Sequence, residues 1–480
     1  MVADVFELIR ERLAEEVREA EVELVDVHPT LAELARADAP VRRDGQSLVP
    51  LLDAEPETPG EVYGESRYGQ LGYGWAPLRF LIHDRLKYIA APRPELYDLR
   101  ADPQEIHDLS ASRPAEAAAM LERLERIEAA LVPVGVQEVD LDATSRAKLE
   151  ELGYVTPASG SKNVPAGAAG APDPKDMLEV FRGHTRANGL LRAGRWEEAA
   201  TLIERLVEAS PSSFDIYEDL GFAYLSLGRS SDAERAYRMS LTNLPDHAER
   251  LWGLGESLRR QNRLDEAIER FEAALERRPD FGEAHLGLTL SLATQGDLPR
   301  ALEHARRHAE INPGSAIAWS NLATVATRMG LHDEAVAASA RLLDLTPTEP
   351  QAHYQHWDAL HSAGRREDSL AALRRAREMF PADWLFTCLL GWQLAVTPGE
   401  DPATIDEALD LAQQAMRANP DHPRSHDTLA AALAARGSYA EAVEALERGL
   451  RLAEQAGDTQ LSGELRERLA LYRARRPYRE

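Results

Sequence analysis

The chain has 480 residues, 44% hydrophobic and 28% charged, enough to bury a large core in more than one domain. Its 81 acidic residues against 55 Lys and Arg leave a formal charge of −26, which repels nucleic-acid phosphates and anionic lipid headgroups. No apolar run approaches the roughly 20 residues that insert across a membrane, and a single cysteine, Cys388, excludes an intrachain disulfide and a cysteine-rich metal site.

Residues 1–22, MVADVFELIRERLAEEVREAEV, carry charges every few positions and read as a charged helix, not as a signal peptide. Nothing in the chain calls for an oxidising compartment, so the cytoplasm is the expected location. Further along, LRFLI and RLKYI are short apolar-rich runs separated by His83 and Asp84, which predicts a hairpin, and ELYDL predicts a third strand. Pro114 to Leu131 places Met120, Leu121, Leu124, Ile127 and Leu131 on one side, which predicts a helix covering one face of that sheet.

Together with VELVDVHPTLAELA (22–35), DGQSLVPLL (44–52), VYGES (62–66) and the run from KYI through PELYDL to DPQE, these segments resemble the carboxy-terminal subdomain of sulfatases, in the alkaline-phosphatase superfamily. The resemblance implies a small α/β subdomain over residues 23–155. In the sulfatases such a subdomain rests against a larger catalytic domain, so the apolar residues Leu78, Phe80, Ile82, Tyr88 and Ile89 are expected to pack on the rest of this chain, to self-associate, or to be loose. The family's nucleophile lies in a Cys-x-Pro-x-Arg or Ser-x-Pro-x-Arg motif beside a carboxylate-held metal. Here the only cysteine sits in Cys388-Leu389-Leu390-Gly391-Trp392 and no serine has that spacing, so no catalytic residue carries over and no cofactor is expected. The charged stretch IRERLAEEVREA stands where the family has an apolar strand, and the chain is expected to begin part-way through an ancestral enzyme.

Thr156 to Pro174, TPASGSKNVPAGAAGAPDP, is poor in large apolar residues and reads as a flexible linker over 156–174. Beyond it, Pro211, Pro245, Pro279, Pro313, Pro347 and Pro381 follow one another at intervals of 34 residues. Each interval repeats one pattern. Tyr217, Leu220, Gly221 and Tyr224 mark a helix face, Gly228 a turn, and Ala233, Tyr237 and Pro245 a second helix and its end; Leu251, Leu254, Gly255, Leu258, Ala267, Phe271, Ala274 and Pro279 follow suit. These residues resemble the tetratricopeptide (TPR) family. The resemblance implies a mainly α fold, a right-handed superhelical solenoid of about eight helix-turn-helix repeats over residues 175–480. The interval from Pro381 to Pro420 is longer, and its surplus is placed in a loop at residues 397–405. Ser462 to Arg476, with Leu465, Leu469 and Tyr472 on one face, reads as a capping helix.

Candidate chemistry is sparse. His304 and His308 have a spacing that can hold zinc, but no third ligand is evident. His285, His353 and His426 fall at the fourth position of their repeats, where a ring fills the gap between helices. Glu197-Glu198 and Asp333-Glu334 read as helix starts, where carboxylates meet the positive helix end. In a stacked solenoid the second, fifth, ninth and twelfth residues of the first helices line the concave surface. Here these include Phe222, Trp252, Arg259, Thr324, Tyr354, Asp358, His361 and Trp392, a row suited to holding an extended or helical peptide. The expected activity is therefore noncatalytic binding of a basic or apolar protein segment, without nucleic acid or membrane insertion. The alternative is the carboxy-terminal portion of a sulfate- or phosphate-ester hydrolase whose catalytic half is missing.

Overall fold

The computed structural model describes residues 60–131, 170–242, 245–397 and 402–479. The expected charged helix at 1–22, the segments at 22–35 and 44–52, and linker residues 156–169 lie outside these. The described chain falls into two compact units, one ending at Arg263 and one starting at Leu264.

In the first unit, β1 (Glu61–Ser66), β2 (Leu78–His83), β3 (Leu86–Ala90) and β4 (Glu95–Asp98) form an antiparallel meander in the order β1-β2-β3-β4. The anticipated hairpin is β2-β3, turned by Asp84 and Arg85 at φ 47° and 62°, as a two-residue turn matched to strand twist requires. His83 is the last residue of β2 and not part of the turn. Pairing aligns Tyr63, Leu81, Tyr88 and Leu96 across all four strands. Side chains alternate along a strand, so these four share one face. The helix α2 (Pro114–Ala130) covers that face with Met120 and Leu124, and Leu81, Leu96 and Leu124 are fully buried. Arg79 ties the sheet to α2 through Glu128 at 2.7 Å. Of the five apolar residues expected to lack support, Tyr88 lies in this core, while Leu78, Phe80, Ile82 and Ile89 remain half-buried.

Between β1 and β2 runs a short helix, α1 (Tyr68–Tyr73). Described residues 170–174 of the expected linker are held in place: Ala76 N donates to Pro172 O at 2.9 Å and Arg93 N to Asp173 Oδ2 at 3.1 Å. A 3-10 turn, Pro174–Met177, leads into the repeats.

The described helices of the repeats follow in sequence, two to a repeat: α3 (Leu178–Arg192) and α4 (Trp196–Ala209), α5 (Phe214–Ser226) and α6 (Ser230–Ser240), α7 (Ala248–Arg260), the last helix of the first unit, and α8 (Leu264–Arg277), the first of the second, then α9 (Gly282–Gln295) and α10 (Leu298–Ile311). After them come α11 (Ala316–Arg328) and α12 (His332–Leu345), α13 (Pro350–Ser362) and α14 (Arg366–Met379), α15 (Trp384–Val396) and α16 (Pro402–Ala418), α17 (Pro423–Ala435) and α18 (Tyr439–Gln455). A last helix, α19 (Thr459–Arg473), buries Leu465, Leu469 and Tyr472, as expected of a cap.

First helices end on one local motif. The Gly228 backbone turns to φ 74°, and Arg229 N reaches back to Tyr224 O at 2.8 Å, closing the helix end as a left-handed glycine permits. Asn262, at φ 60°, takes that place after α7, consistent with asparagine's tolerance of this conformation. The seventh pair corrects the expected loop at 397–405, because Pro402 to Ile405 belong to α16, a helix of 17 residues. Pro402 at the first helical position is preorganised to start it.

Candidate functional site

Small residues bring the helices together. The Tyr237 ring, 2% exposed, sits against Gly221 and Gly253, where an added Cβ would lie 2.7 and 2.2 Å from ring carbons. In the second unit Phe271 meets Gly287 in the same manner, at 2.5 Å. Gly253 and Gly287, which the repeat pattern did not single out, thus seat these rings on the helix that follows each of them, as Gly221 seats Tyr237 from the helix before.

Of the eight candidate groove residues, three lie in the first unit. Phe222 is exposed and meets Trp196 edge to face at 5.7 Å. Trp252 is half-buried on α7. Arg259 is committed to Glu256, with Nε and Nη2 at 2.7 and 2.8 Å from the carboxylate, which raises the guanidinium above its ordinary value. Nearby Glu218 accepts from Arg250 Nε at 2.8 Å, while Arg250 also pairs with Asp215 and donates to Ser240 O. That guanidinium is 2% exposed, so its three partners offset the cost of desolvating it. Burial pushes the Asp215 carboxyl up to about 6 in spite of Arg250.

The other five are in the second unit, and four of them gather around one residue that pattern reading passed over. Trp357 is 6% exposed; Tyr354 lies 5.5 Å from it, His361 stacks on it at 5.3 Å, and Trp392 meets His361 at 5.9 Å. Asp358 is half-buried on the same helix, and burial raises its carboxyl. Trp357 Nε1 donates to Gln393 Oε1 at 2.9 Å, and Gln393 donates on to Ser369 Oγ, so the ring's polar edge is satisfied inside the core. The signal was available: Trp357 stands where the other repeats have Ala187, Gly221, Gly255, Thr289, Ala323, Gly391 and Ala430. Thr324 lies apart from these rings, exposed, and its hydroxyl accepts from Gln355 at 3.3 Å. Next to Trp392, Arg468 is 8% exposed and binds Asp427 at 2.6 Å. Asp427 is raised to about 6, first by burial. Arg479 of the tail donates to Ala395 O at 2.7 Å.

The histidines arrange themselves differently from a metal pair. His285 Nε2 lies 3.1 Å from Pro279 O, His353 Nε2 2.8 Å from Pro347 O and His426 Nε2 2.8 Å from Pro420 O. A carbonyl only accepts, so each Nε2 carries the hydrogen. Trp319 Nε1 does the same to Pro313 O at 2.9 Å. His304 turns toward His285, Nδ1 to Nδ1 at 3.0 Å, while His308 is buried on the same helix. Among the described residues no group of three or more His, Cys, Asp or Glu is arranged to hold a metal ion. Cys388 is buried, its thiol 3.1 Å from Thr428 Oγ1 and pushed up to about 11 by burial, so it is not a thiolate nucleophile at neutral pH.

A tetratricopeptide-repeat family model matches residues 184–248, 253–316 and 405–457. No curated protein matches the chain. Among solved structures, the C-terminal part of a TPR repeat-containing protein from Cytophaga hutchinsonii is 14% identical, with 51% of this chain and 99% of that one covered at a TM-score of 0.44. A tetratricopeptide repeat protein from Parabacteroides merdae is 14% identical, with 53% and 99% covered at 0.38. YrrB, described as a TPR protein with an unusual peptide-binding site, is 21% identical, with 40% and 97% covered at 0.32. The family match lies wholly within the repeats, and the resemblance of residues 23–155 to sulfatases gains no support from it. The family match supports tetratricopeptide repeats in three stretches of this chain, and the helices described there follow one another in helix-turn-helix order.

Proposed function

We propose that the chain is a noncatalytic scaffold that binds a basic or apolar protein segment on the first-helix face of its repeats, acting in the cytoplasm. Its parts are taken as residues 1–22, a small α/β subdomain at 23–155, a linker at 156–174 and the repeat array at 175–480. The observation that carries this reading is the cluster of Tyr354, His361 and Trp392 held half-exposed around buried Trp357. Rigid aromatic rings supply contact area at little entropic cost, and such anchors dominate binding energy where they are enclosed by a partner. The formal charge of −26 favours a cationic over an anionic segment by long-range attraction. None of the described helices is long and apolar enough to cross a membrane.

The test is a panel of basic, apolar and acidic peptides read by fluorescence anisotropy against the full chain. Basic or apolar peptides should bind, and Tyr354→Ala or Trp392→Ala should weaken the best of them at least tenfold while the helical circular-dichroism signal holds. Preference for the acidic set, or equal weakening by Ile106→Ala, a change of an exposed first-unit residue outside the cluster, would overturn the reading.

A further inference from the structure

The first two repeats do not present an open face like that around Trp357, because a piece of the chain's own amino-terminal region lies on it. Phe181 and His184 stand one 34-residue period before Asp215 and Glu218, which makes them the second and fifth residues of the first repeat. They meet α1 and the residues just after it. Tyr73 is 1% exposed, stacks on Trp75 at 4.3 Å and meets Phe181 and His184 edge to face at 6.3 and 5.6 Å. Tyr68 reaches the same Phe181 at 6.1 Å. Gly72 lies so close to Asp215 that an added Cβ would be 2.3 Å from Oδ2.

The polar contacts are as specific as the rings. His184 Nε2 lies 2.6 Å from Asp219 Oδ2, and a carboxylate only accepts, so Nε2 carries the hydrogen and Nδ1 is left as an acceptor. Tyr73 supplies the matching donor, its hydroxyl 2.6 Å from Nδ1. Trp75 Nε1 donates to Ser210 Oγ at 3.3 Å, and Ser212 Oγ donates to Tyr73 O at 3.2 Å. The receiving groups come from α3, α5 and the turn before α5. The occupying groups come from nine consecutive residues, YGQLGYGWA, of which three are glycine and only six are helical. A segment so short and glycine-rich has little helical tendency of its own. It is shaped by the surface it lies on, as a bound peptide is.

We propose that the first-helix face of the first two repeats is a binding site for a short tyrosine- and tryptophan-bearing segment, and that residues 68–76 occupy it as a resident ligand. A competing segment of the same chemistry must displace this one. The inference deepens the peptide-binding reading, naming the ligand chemistry of one part of that face. Tethered at both ends, the resident segment has an effective concentration on the order of millimolar. An outside peptide at micromolar concentration is therefore excluded until the resident is weakened.

The probe is a labelled synthetic peptide of residues 67–77, RYGQLGYGWAP, read by anisotropy against the full chain. The wild type should bind it weakly. A chain with Tyr73→Ala and Trp75→Ala should bind it at least tenfold tighter, and adding His184→Ala should abolish the gain. Gly72→Ala, which lifts the segment off Asp215 without removing either ring, should give a smaller gain in the same direction and serves if the double change disturbs folding, as judged by circular dichroism. Equal binding to wild type and both variants, or a gain indifferent to His184, would overturn the proposal. That failure would leave the Tyr354 and Trp392 test untouched, because this one uses only residues of the first unit.

Discussion

Lowering the pH should loosen the fourth helix pair through His285 and His304, and the size of the effect follows from their hydrogens. His285 gives its Nε2 hydrogen to Pro279 O, so its Nδ1 accepts from the Nδ1 hydrogen of His304, 3.0 Å away. A proton added at His285 Nδ1 would set two N–H groups against each other, and one added at His304 Nε2 would charge a half-buried ring. Around the pair, Arg300 and Arg307 disfavour the charge and Glu303 favours it. Burial first, and His285 second, lower His304 from 6.5 to about 4. The unfolded chain then binds a proton between these values that the folded chain refuses, so stability is full above pH 6.5 and falls as pH drops toward 4. Between pH 7.5 and 5 this linkage amounts to about 2 kcal/mol for a fully shielded group, and solvent screening at the half-buried ring reduces it to about 1 kcal/mol. Native-state hydrogen exchange of α9 and α10 amides, corrected for the intrinsic pH effect, reads it directly. Wild type should lose about 1 kcal/mol more protection than His304→Phe over that interval. Equal loss in both chains, or a His304 ring that titrates near 6.5 in the folded protein, would refute the reasoning.

Two glycines give opposite outcomes. Gly253→Ala drives a methyl to 2.2 Å from the Tyr237 ring and should cost about 1–3 kcal/mol, whereas Gly189→Ala, with nothing within 4 Å on α3, should stabilise by about 0.5–1 kcal/mol; urea midpoints compare them. Arg468→Met strands the buried Asp427 carboxylate and should cost about 3–5 kcal/mol, and adding Asp427→Asn should restore most of the melting temperature.

The proline period and the small-then-apolar pattern made the helix pairs legible, because each repeat must satisfy the same packing against its neighbours. The β2-β3 hairpin and α2 were legible from alternation and helical spacing. Neither β1 nor α1 was predicted as an element: β1 has Gly64 at its centre under the Phe80 ring, and α1 is YGQLGY, whose helix depends on what it rests against. Trp357 escaped because attention went to positions facing a groove, while the residue that organises Tyr354, His361 and Trp392 occupies a position normally kept small. The surplus in the seventh repeat looked like loop because of its Pro and Gly, yet Pro402 begins a helix as readily as it ends one.

The bond from the fourth residue of a first helix to a proline carbonyl six residues upstream sets a rule of interchange for these repeats. Histidine and tryptophan differ in size, charge and chemistry, yet at positions 285, 319, 353 and 426 each offers a ring N–H to the same acceptor. At those four positions the chain places a planar donor at a fixed reach, so the two residues form one class there and phenylalanine stands outside it, while Leu251 and Thr387 fill the equivalent place in two other repeats without a ring. His353→Trp should keep the joint between one repeat and the next, while His353→Phe fills the same space and leaves the Pro347 carbonyl without its donor. Substitution tables that group residues by polarity separate what this joint treats as alike.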